Sequence, residues 1–279
     1  MRQRLDRELV RRGLARSRQH GADLINAQRI RVNGQIAAKT ATMVERSAPI
    51  VLEEPPEGDT DYVSRGGHKL AGALAAFIPQ GLTVATRNCL DAGASTGGFT
   101  DVLLRKEASR VTAVDVGYGQ LAWPLQKDDR VVIMDRTNVR ALTAGDVIPP
   151  PDLIVADLSF ISLTTVLPAL IAVSAESADY VLMVKPQFEV GKERLGAKGV
   201  VSSPQLRREA VLNVARFAQE HGLEVRGVEA SPLPGPSGNV EYFLWLVKAV
   251  EQSAVIDSLA GRDETLMSLV EQAISRGPK

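Results

Sequence analysis

The sequence predicts an α/β fold with a mostly parallel, seven-stranded sheet, preceded by a small α+β module. From Leu70 onward, strand-like and helix-like segments alternate, and the first of these strands ends in a glycine-rich bend at residues 93–98. The length of 279 residues and the 44% hydrophobic content suit one large domain and one small one. We therefore expect a small domain with its linker over 1–60, a large domain over 61–250 and a helical tail over 251–279.

Seven apolar segments have the length and composition of strands in the large domain. They lie near residues 88–92, 111–115, 131–134, 153–156, 181–185, 224–229 and 242–247. The last two are joined by the proline-rich segment 231–239, which is too short to hold a crossover helix. These two strands should therefore form an antiparallel hairpin at the end of the sheet.

The first 40 residues form a basic module. They contain ten Lys and Arg against three Asp and Glu, a net charge of +7 in a chain whose total is zero. Leu5 and Leu9 mark a first helix, Ser17 is placed to cap a second, and Asn33-Gly34 is a strong hairpin signal. Such a charge indicates a polyanionic partner, RNA or DNA, although a solvated helix face would give the same composition.

The bend at residues 93–98 joins a strand to the start of a helix. Glycine has no Cβ, so backbone N–H groups here can approach a polar ligand closely. Asp115 ends the next strand about 20 residues later, where doubly wound folds place the acid that binds ribose hydroxyls. The bend alone is compatible with a nucleotide or S-adenosylmethionine loop, a dinucleotide loop, or the Gly-x-Ser-x-Gly elbow of a serine hydrolase.

Four ionisable residues lie at the ends of predicted elements. Lys69 begins a helix, Asp157 and Lys185 each follow a strand, and Glu241 precedes the last strand. The ligand crevice of an open α/β sheet lies beyond the carboxyl ends of its parallel strands, and an antiparallel last strand begins at that same edge. We therefore expect the four side chains to converge.

Two motif sets resemble known families. The segments 5–10, 15–18 and 30–34 resemble the S4 RNA-binding domain. That resemblance implies RNA phosphate contacts by Arg4, Arg16, Arg18 and Lys39, and Arg65 is a further candidate RNA contact. The residues Lys69, Asp157, Lys185 and Glu241 look like the Lys-Asp-Lys-Glu tetrad of FtsJ-type RNA ribose 2′-O-methyltransferases.

With the basic module in front, nearly the whole chain resembles the TlyA family. The resemblance rests on the tetrad and on the sequences around it, at 157–162, 184–189 and 234–241. It implies a class I (Rossmann-like) methyltransferase that uses S-adenosyl-L-methionine to methylate cytidine ribose in ribosomal RNA. It also implies ribosomal RNA or ribosomal subunits as partners and a link to tuberactinomycin (capreomycin and viomycin) sensitivity. Members are sometimes called hemolysins.

The resemblance gives each site residue an expected role. Lys185 is the candidate base, Asp157 and Glu241 orient the lysines and the hydroxyl, and Lys69 holds the substrate. No metal is expected. The residues expected to contact the cofactor are Gly93, Ser95, Thr96, Gly97 and Gly98 through the backbone, Asp115 at the ribose, Asn138 near the adenine and Asp157 at the sulfonium.

Other functions remain open to different degrees. A hydrolase needs an acid and a histidine after Ser95, and the one histidine that follows, His221, suits a helix C-cap. The predicted terminal hairpin is typical of class I methyltransferases and disfavours a dehydrogenase. A non-catalytic rRNA-binding assembly factor remains the main alternative, since an S4 module alone binds rRNA.

Membrane insertion and export have little support in the sequence. No apolar run approaches the roughly 18 residues of a spanning helix, so a hemolysin has little support. The N-terminus lacks a signal-peptide core, and Cys89 is the one cysteine. We therefore expect a cytoplasmic protein.

Overall fold

The computed structural model describes residues 2–15, 17–53, 60–196, 199–248 and 259–277. The chain divides into two compact units, Met1–Asp61 and Tyr62–Lys279. The predicted linker and the predicted boundary at 250 lie largely outside the described residues, so the predicted domain limits stay a prediction.

The first unit is small, with its helices and strands packed around one core. Its elements are β1 (Arg2–Arg4), α1 (Leu5–Arg11), α2 (Arg18–Asn26), β2 (Ile30–Val32), β3 (Gln35–Ile36), β4 (Met43–Glu45) and β5 (Ile50–Leu52). β1 pairs with β4, while β2 lies between β3 and β5, and all three pairings are antiparallel. Leu5, Leu9 and Ile30 are fully buried in its core.

The helix cap and the hairpin turn that the sequence predicts in this unit are both present. Ser17 caps α2 by accepting a hydrogen bond from the backbone N–H of His20 at 3.1 Å. Asn33 and Gly34, with φ of 51° and 80°, form the turn between β2 and β3, since both central residues of such a hairpin turn need positive φ.

The second unit is built on one seven-stranded sheet. Its strands are β6 (Asn88–Ala92), β7 (Arg110–Val114), β8 (Val131–Met134), β9 (Leu153–Ala156), β10 (Asp179–Val184), β11 (Leu223–Ala230) and β12 (Tyr242–Lys248). Their order is β11-β12-β10-β9-β6-β7-β8. The five strands from β10 to β8 are parallel, whereas β12 runs antiparallel to both of its neighbours. The predicted fold class and the terminal hairpin are confirmed, and every strand limit lies within two residues of its prediction.

Helices cover both faces of this sheet. They are α3 (Arg65–Phe77), α4 (Gly98–Arg105), α5 (Trp123–Gln126), α6 (Leu163–Val173), α7 (Pro186–Glu189), α8 (Pro204–Glu220) and α9 (Leu259–Arg276). Alternate β10 side chains enter opposite cores: Leu182 packs with the cluster that holds α6, α8 and α9, and Val181 with the one that holds α3 and α4. Both faces are buried, which is why the parallel strands are apolar throughout.

The helical tail is part of the second unit. α9 packs against β11 and α8, and Leu266, Val270 and Ala273 are buried in the same cluster as the sheet. Ion pairs of 3.0 Å (Arg216–Asp263) and 3.1 Å (Arg208–Glu271) link α9 to α8 at the surface.

Candidate active site

The structure brings the predicted tetrad together as two ion pairs. Lys69 Nζ lies 2.5 Å from Glu241 Oε2, and Lys185 Nζ lies 2.5 Å from Asp157 Oδ1. The sheet explains this placement, because Val184 pairs with Tyr242, so the next residues along the two strands, Lys185 and Glu241, lie side by side. Lys69 reaches them from the first turns of α3.

Both pairs are largely withdrawn from solvent. The side chains of Lys69 and Glu241 are 8% and 1% exposed, and those of Lys185 and Asp157 are 10% and 24% exposed. Charges are tolerated in such surroundings only when each has an opposite charge beside it. Lys185 also donates a hydrogen bond to Ser159 Oγ at 3.1 Å, which fixes the direction of its amine.

Glu241 keeps one carboxylate oxygen without a protein partner. Its Oε1 is buried and accepts no hydrogen bond from any described residue. A Cβ on Gly235 would come within 2.6 Å of this oxygen, so glycine at that position leaves room for it. An unpaired buried acceptor beside a lysine is suited to a hydroxyl donor from a substrate.

A cavity of about 680 Å³ borders the tetrad. Its walls include Lys185, Glu241 and the segments 159–162 and 235–237. Phe160 is 90% exposed at this cavity, and its ring centroid lies 5.2 Å from that of Phe188. A cavity of this size accommodates a nucleotide.

The glycine bend lies at the same edge of the sheet. Gly93 has a φ of +88°, and a Cβ on it would lie 2.6 Å from the backbone oxygen of Asp157. Glycine is thus required both for the backbone conformation and for the close approach of the bend to the strand end that carries Asp157. Gly97, with a φ of +95°, is the N-cap of α4.

Packing also accounts for two of these glycines. A Cβ on Gly97 would collide with Leu121 and Leu125, and one on Gly98 would collide with Ser64 and the backbone of α3. The predicted backbone contacts of both residues, and of Thr96, with a cofactor stay predictions.

Asp115 ties the next loop to the glycine bend. Its Oδ2 accepts from the backbone N–H of Ser95 at 2.8 Å, and its Oδ1 accepts from that of Gly117 at 2.7 Å. A carboxylate oxygen has two lone pairs, so acceptor capacity remains for ribose hydroxyls. Asn138 is exposed, and its Oδ1 accepts from the backbone N–H of Arg140 at 3.1 Å. Its observed role is to cap a short helix, and the adenine contact stays a prediction.

The serine-hydrolase arrangement is absent from the described residues. Ser95 Oγ donates to Gln120 at 3.4 Å rather than to a histidine. His221 is the C-cap of α8, and its Nδ1 lies 2.8 Å from the backbone oxygen of Phe217. The predicted C-cap position is what the structure shows.

The candidate RNA contacts differ in their surroundings. Arg4 and Arg18 each place an Nη2 atom 3.0 Å from Asp6 Oδ2, while their side chains stay 40% and 54% exposed. The Arg4 guanidinium holds the pKa of the buried Asp6 carboxyl well below its usual range. Lys39 is exposed. Arg16 lies outside the described residues.

Arg65 belongs to the second unit and is exposed at the start of α3. Its Nη2 donates to the backbone oxygen of Pro234 at 3.2 Å. This hydrogen bond links α3, which carries Lys69, to the segment that leads to Glu241.

Sequence reasoning missed Asp91. It lies within β6, is fully buried and accepts from Thr100 Oγ1 at 2.7 Å. Burial raises its pKa to about 7, and the negative charges of Asp157 and Asp115 act in the same direction. A carboxylate inside an apolar strand, two residues before the first glycine of the bend, was the signal available.

The described residues hold neither a metal-binding cluster nor a helix suited to span a membrane. No group of three or more His, Cys, Asp or Glu side chains is arranged to hold a metal ion. No helix combines the length and hydropathy of a membrane span.

A mostly parallel sheet with an antiparallel terminal hairpin, a glycine bend and a Lys-Asp-Lys-Glu site define an FtsJ-like class I methyltransferase. Residues 62–248 match the FtsJ-like methyltransferase family, and residues 3–50 match the S4 domain. The chain belongs to the TlyA family of methyltransferases.

Individual relatives cover nearly the whole chain. The 16S/23S rRNA (cytidine-2′-O)-methyltransferase TlyA of Mycobacterium tuberculosis is 55% identical over 99% of this chain and 99% of its own. Hemolysin A of Brachyspira hyodysenteriae is 34% identical over 86% of this chain and 97% of its own. A solved structure from Streptococcus thermophilus, which carries a hemolysin name, is 35% identical with a TM-score of 0.73, covering 98% of this chain and 96% of its own.

Proposed function

We propose that the protein transfers a methyl group from S-adenosylmethionine to the ribose 2′-hydroxyl of a cytidine in ribosomal RNA. The observation that carries the proposal is the pair of buried lysine–carboxylate contacts, which border a nucleotide-sized cavity at the carboxyl edge of the sheet. The name of the 55% identical relative supports the choice of substrate.

The glycine bend fits the proposed cofactor. Gly93 lets the bend lie close against the strand end that carries Asp157, and Asp115 lies at the end of the adjacent strand with spare acceptor capacity. Both features suit a nucleoside whose ribose hydroxyls face a carboxylate. When bound, S-adenosylmethionine supplies a methyl group already activated by the positive charge on sulfur.

The residues of the tetrad then have separate tasks. A ribose hydroxyl becomes a good nucleophile when its proton is removed, so the protein needs a base and alignment of the reacting atoms. Lys185 is the proposed base, which accepts the 2′-hydroxyl proton at Nζ. Asp157 and Ser159 orient that amine, while Glu241, paired with Lys69 and in the cavity wall, orients the substrate hydroxyl.

The basic first unit supplies sequence-independent affinity for RNA. The exposed side chains of Arg4, Arg18 and Lys39 contact phosphates, and such contacts position an RNA without selecting a base. Ribosomal subunits are the proposed substrates, and the site of action is accordingly proposed to be cytoplasmic. The resemblance to the TlyA family extends the proposal to a link with sensitivity toward the tuberactinomycin antibiotics.

Methyl transfer to purified ribosomal subunits tests the function. The wild-type protein should transfer label from S-adenosylmethionine to RNA, and Lys185→Ala should lose this activity by a factor of at least about 10² while keeping its affinity for RNA. Unchanged methylation by the variant would refute the assignment of Lys185. RNA binding without any methyl transfer by the wild-type protein would instead favour the non-catalytic assembly factor.

A further inference from the structure

A buried asparagine joins two walls of the cavity beside the tetrad. Asn239 is 2% exposed. Its Oδ1 accepts from the backbone N–H of Val201 at 2.8 Å, and its Nδ2 donates to the backbone oxygen of Gly199 at 3.0 Å. Gly199 and Asn239 both line the cavity, so these hydrogen bonds join two segments of its wall.

An amide is the side chain that these contacts require. One partner is a donor and the other an acceptor, so the group between them must both accept and donate. A carboxylate retains the acceptor and loses the donor, and alanine loses both. The backbone oxygen of Asn239 also accepts from Gly235 N–H at 2.8 Å, which closes the turn above Glu241.

The far side of the 199–201 segment is held by apolar packing. Val201 is 3% exposed and packs with Val190 and Ala210 in a small cluster separate from the main cores. A cluster this small gives limited stability, so the two amide hydrogen bonds contribute much of what fixes this wall.

We infer that Asn239 is a positioning residue that holds the 199–201 wall against the Glu241 segment, so that the cavity is formed before RNA enters. The inference rests on the proposed function, because the occupant of the cavity is taken to be the acceptor nucleotide. Without the side-chain amide, RNA has to order the 199–201 segment when it binds. The free energy spent on this ordering lowers the apparent affinity for RNA. The glycine bend and Asp115 are on other segments and are unaffected.

Steady-state kinetics with ribosomal subunits distinguish this role from a general loss of stability. Asn239→Ala and Asn239→Asp should each raise the KM for RNA about tenfold, the equivalent of one or two buried hydrogen bonds. The KM for S-adenosylmethionine should match that of the wild type, whereas a general loss of stability would change both KM values. Asn213→Ala, at an exposed asparagine on α8, is the matched control and should change neither KM.

Hydrogen exchange gives an independent measurement. The Val201 amide should be protected in the wild type and exchange at least about tenfold faster in Asn239→Ala, which removes its acceptor, but not in Asn213→Ala. An unchanged RNA KM, equal rises in both KM values, or unchanged exchange at Val201 would overturn the inference. If Asn239→Ala fails to fold, the KM for RNA of the near-isosteric Asn239→Asp tests the inference instead. Wild-type protein that transfers no methyl group overturns the proposed function instead, and the exchange result still reports on the wall.

Discussion

At the scale of single residues, the tetrad is an arrangement of compensated charges. Each buried lysine has one carboxylate within 2.5 Å, so neither charge is left alone in a region of low polarity. The same arrangement places Lys185 and Glu241, one member of each pair, in the wall of one cavity. Stability and chemistry therefore depend on the same four side chains.

Removing one charge of a buried pair should be costly. Glu241→Gln leaves Lys69 buried without its counterion, and we expect a loss of about 3–5 kcal/mol in the free energy of unfolding. Glu271→Gln is the control, because Glu271 pairs with Arg208 at the surface and should cost less than about 1 kcal/mol. Denaturant titration measures both, and equal effects would contradict the buried ion pair.

Asp91 should make stability depend on pH. Burial raises its pKa to about 7 in the folded protein, above the 3.8 of an exposed aspartate, so between these values the folded state binds more protons than the unfolded state. Stability should therefore fall as pH rises from about 4 to about 7 through this group. Asp91→Asn should flatten that part of the profile in thermal unfolding, and a profile of unchanged slope would contradict the raised pKa.

At the scale of elements, the strand ends place the site. Lys185, Asp157 and Glu241 occupy the residues next to β10, β9 and β12, so the register of three strands sets their spacing. Gly93 allows the end of β6 to approach the residue after β9. The geometry of the tetrad thus follows from the sheet rather than from flexible loops.

Replacing Gly93 tests this dependence. Gly93→Ala introduces a Cβ against the Asp157 backbone at a positive φ, and we expect it to destabilise the protein and to reduce methyl transfer. Gly222 has a similar φ of +81°, and an added Cβ there would meet no other atom. Gly222→Ala therefore measures the effect of backbone strain without a steric clash. Gly93→Ala should lose activity at least about tenfold more than Gly222→Ala in the methyl-transfer assay, and equal losses would contradict the close approach.

The elements were predictable from sequence because each leaves a local pattern. Apolar runs bounded by polar turns gave all seven strands of the large sheet, and Asn33-Gly34 gave the hairpin of the small unit. The pairing within the tetrad was not predictable, since Lys69 and Glu241 are 172 residues apart and meet through packing. The link from Asn239 to Val201 has the same origin and leaves no signal in the sequence.

At the scale of the whole molecule, charge is divided between the two parts of the chain. The first 40 residues carry +7 and the remainder carries −7. Under the proposed function, this asymmetry favours the first unit as the part of the chain that attracts RNA. A polyanion is held mainly by electrostatic attraction, so its binding should weaken steeply with salt.

A single phosphate contact can be detected in that salt dependence. Lys39→Ala should weaken binding of ribosomal RNA at low salt and reduce the slope of log affinity against log salt by about 1. Lys106→Ala removes the same charge at the C-cap of α4 and should leave the slope unchanged. Filter binding over a salt series measures both, and identical slopes for the two variants would remove Lys39 from the RNA interface.

The most direct test of the central claim is the chemical identity of the methylated product. Ribosomal subunits are incubated with the protein and labelled S-adenosylmethionine, the RNA is digested to nucleosides, and these are separated and identified by mass spectrometry. The label is predicted in 2′-O-methylcytidine, absent when Lys185→Ala replaces the wild type. Label in a base-methylated nucleoside, in another ribose-methylated nucleoside, or undiminished with the variant would contradict the account.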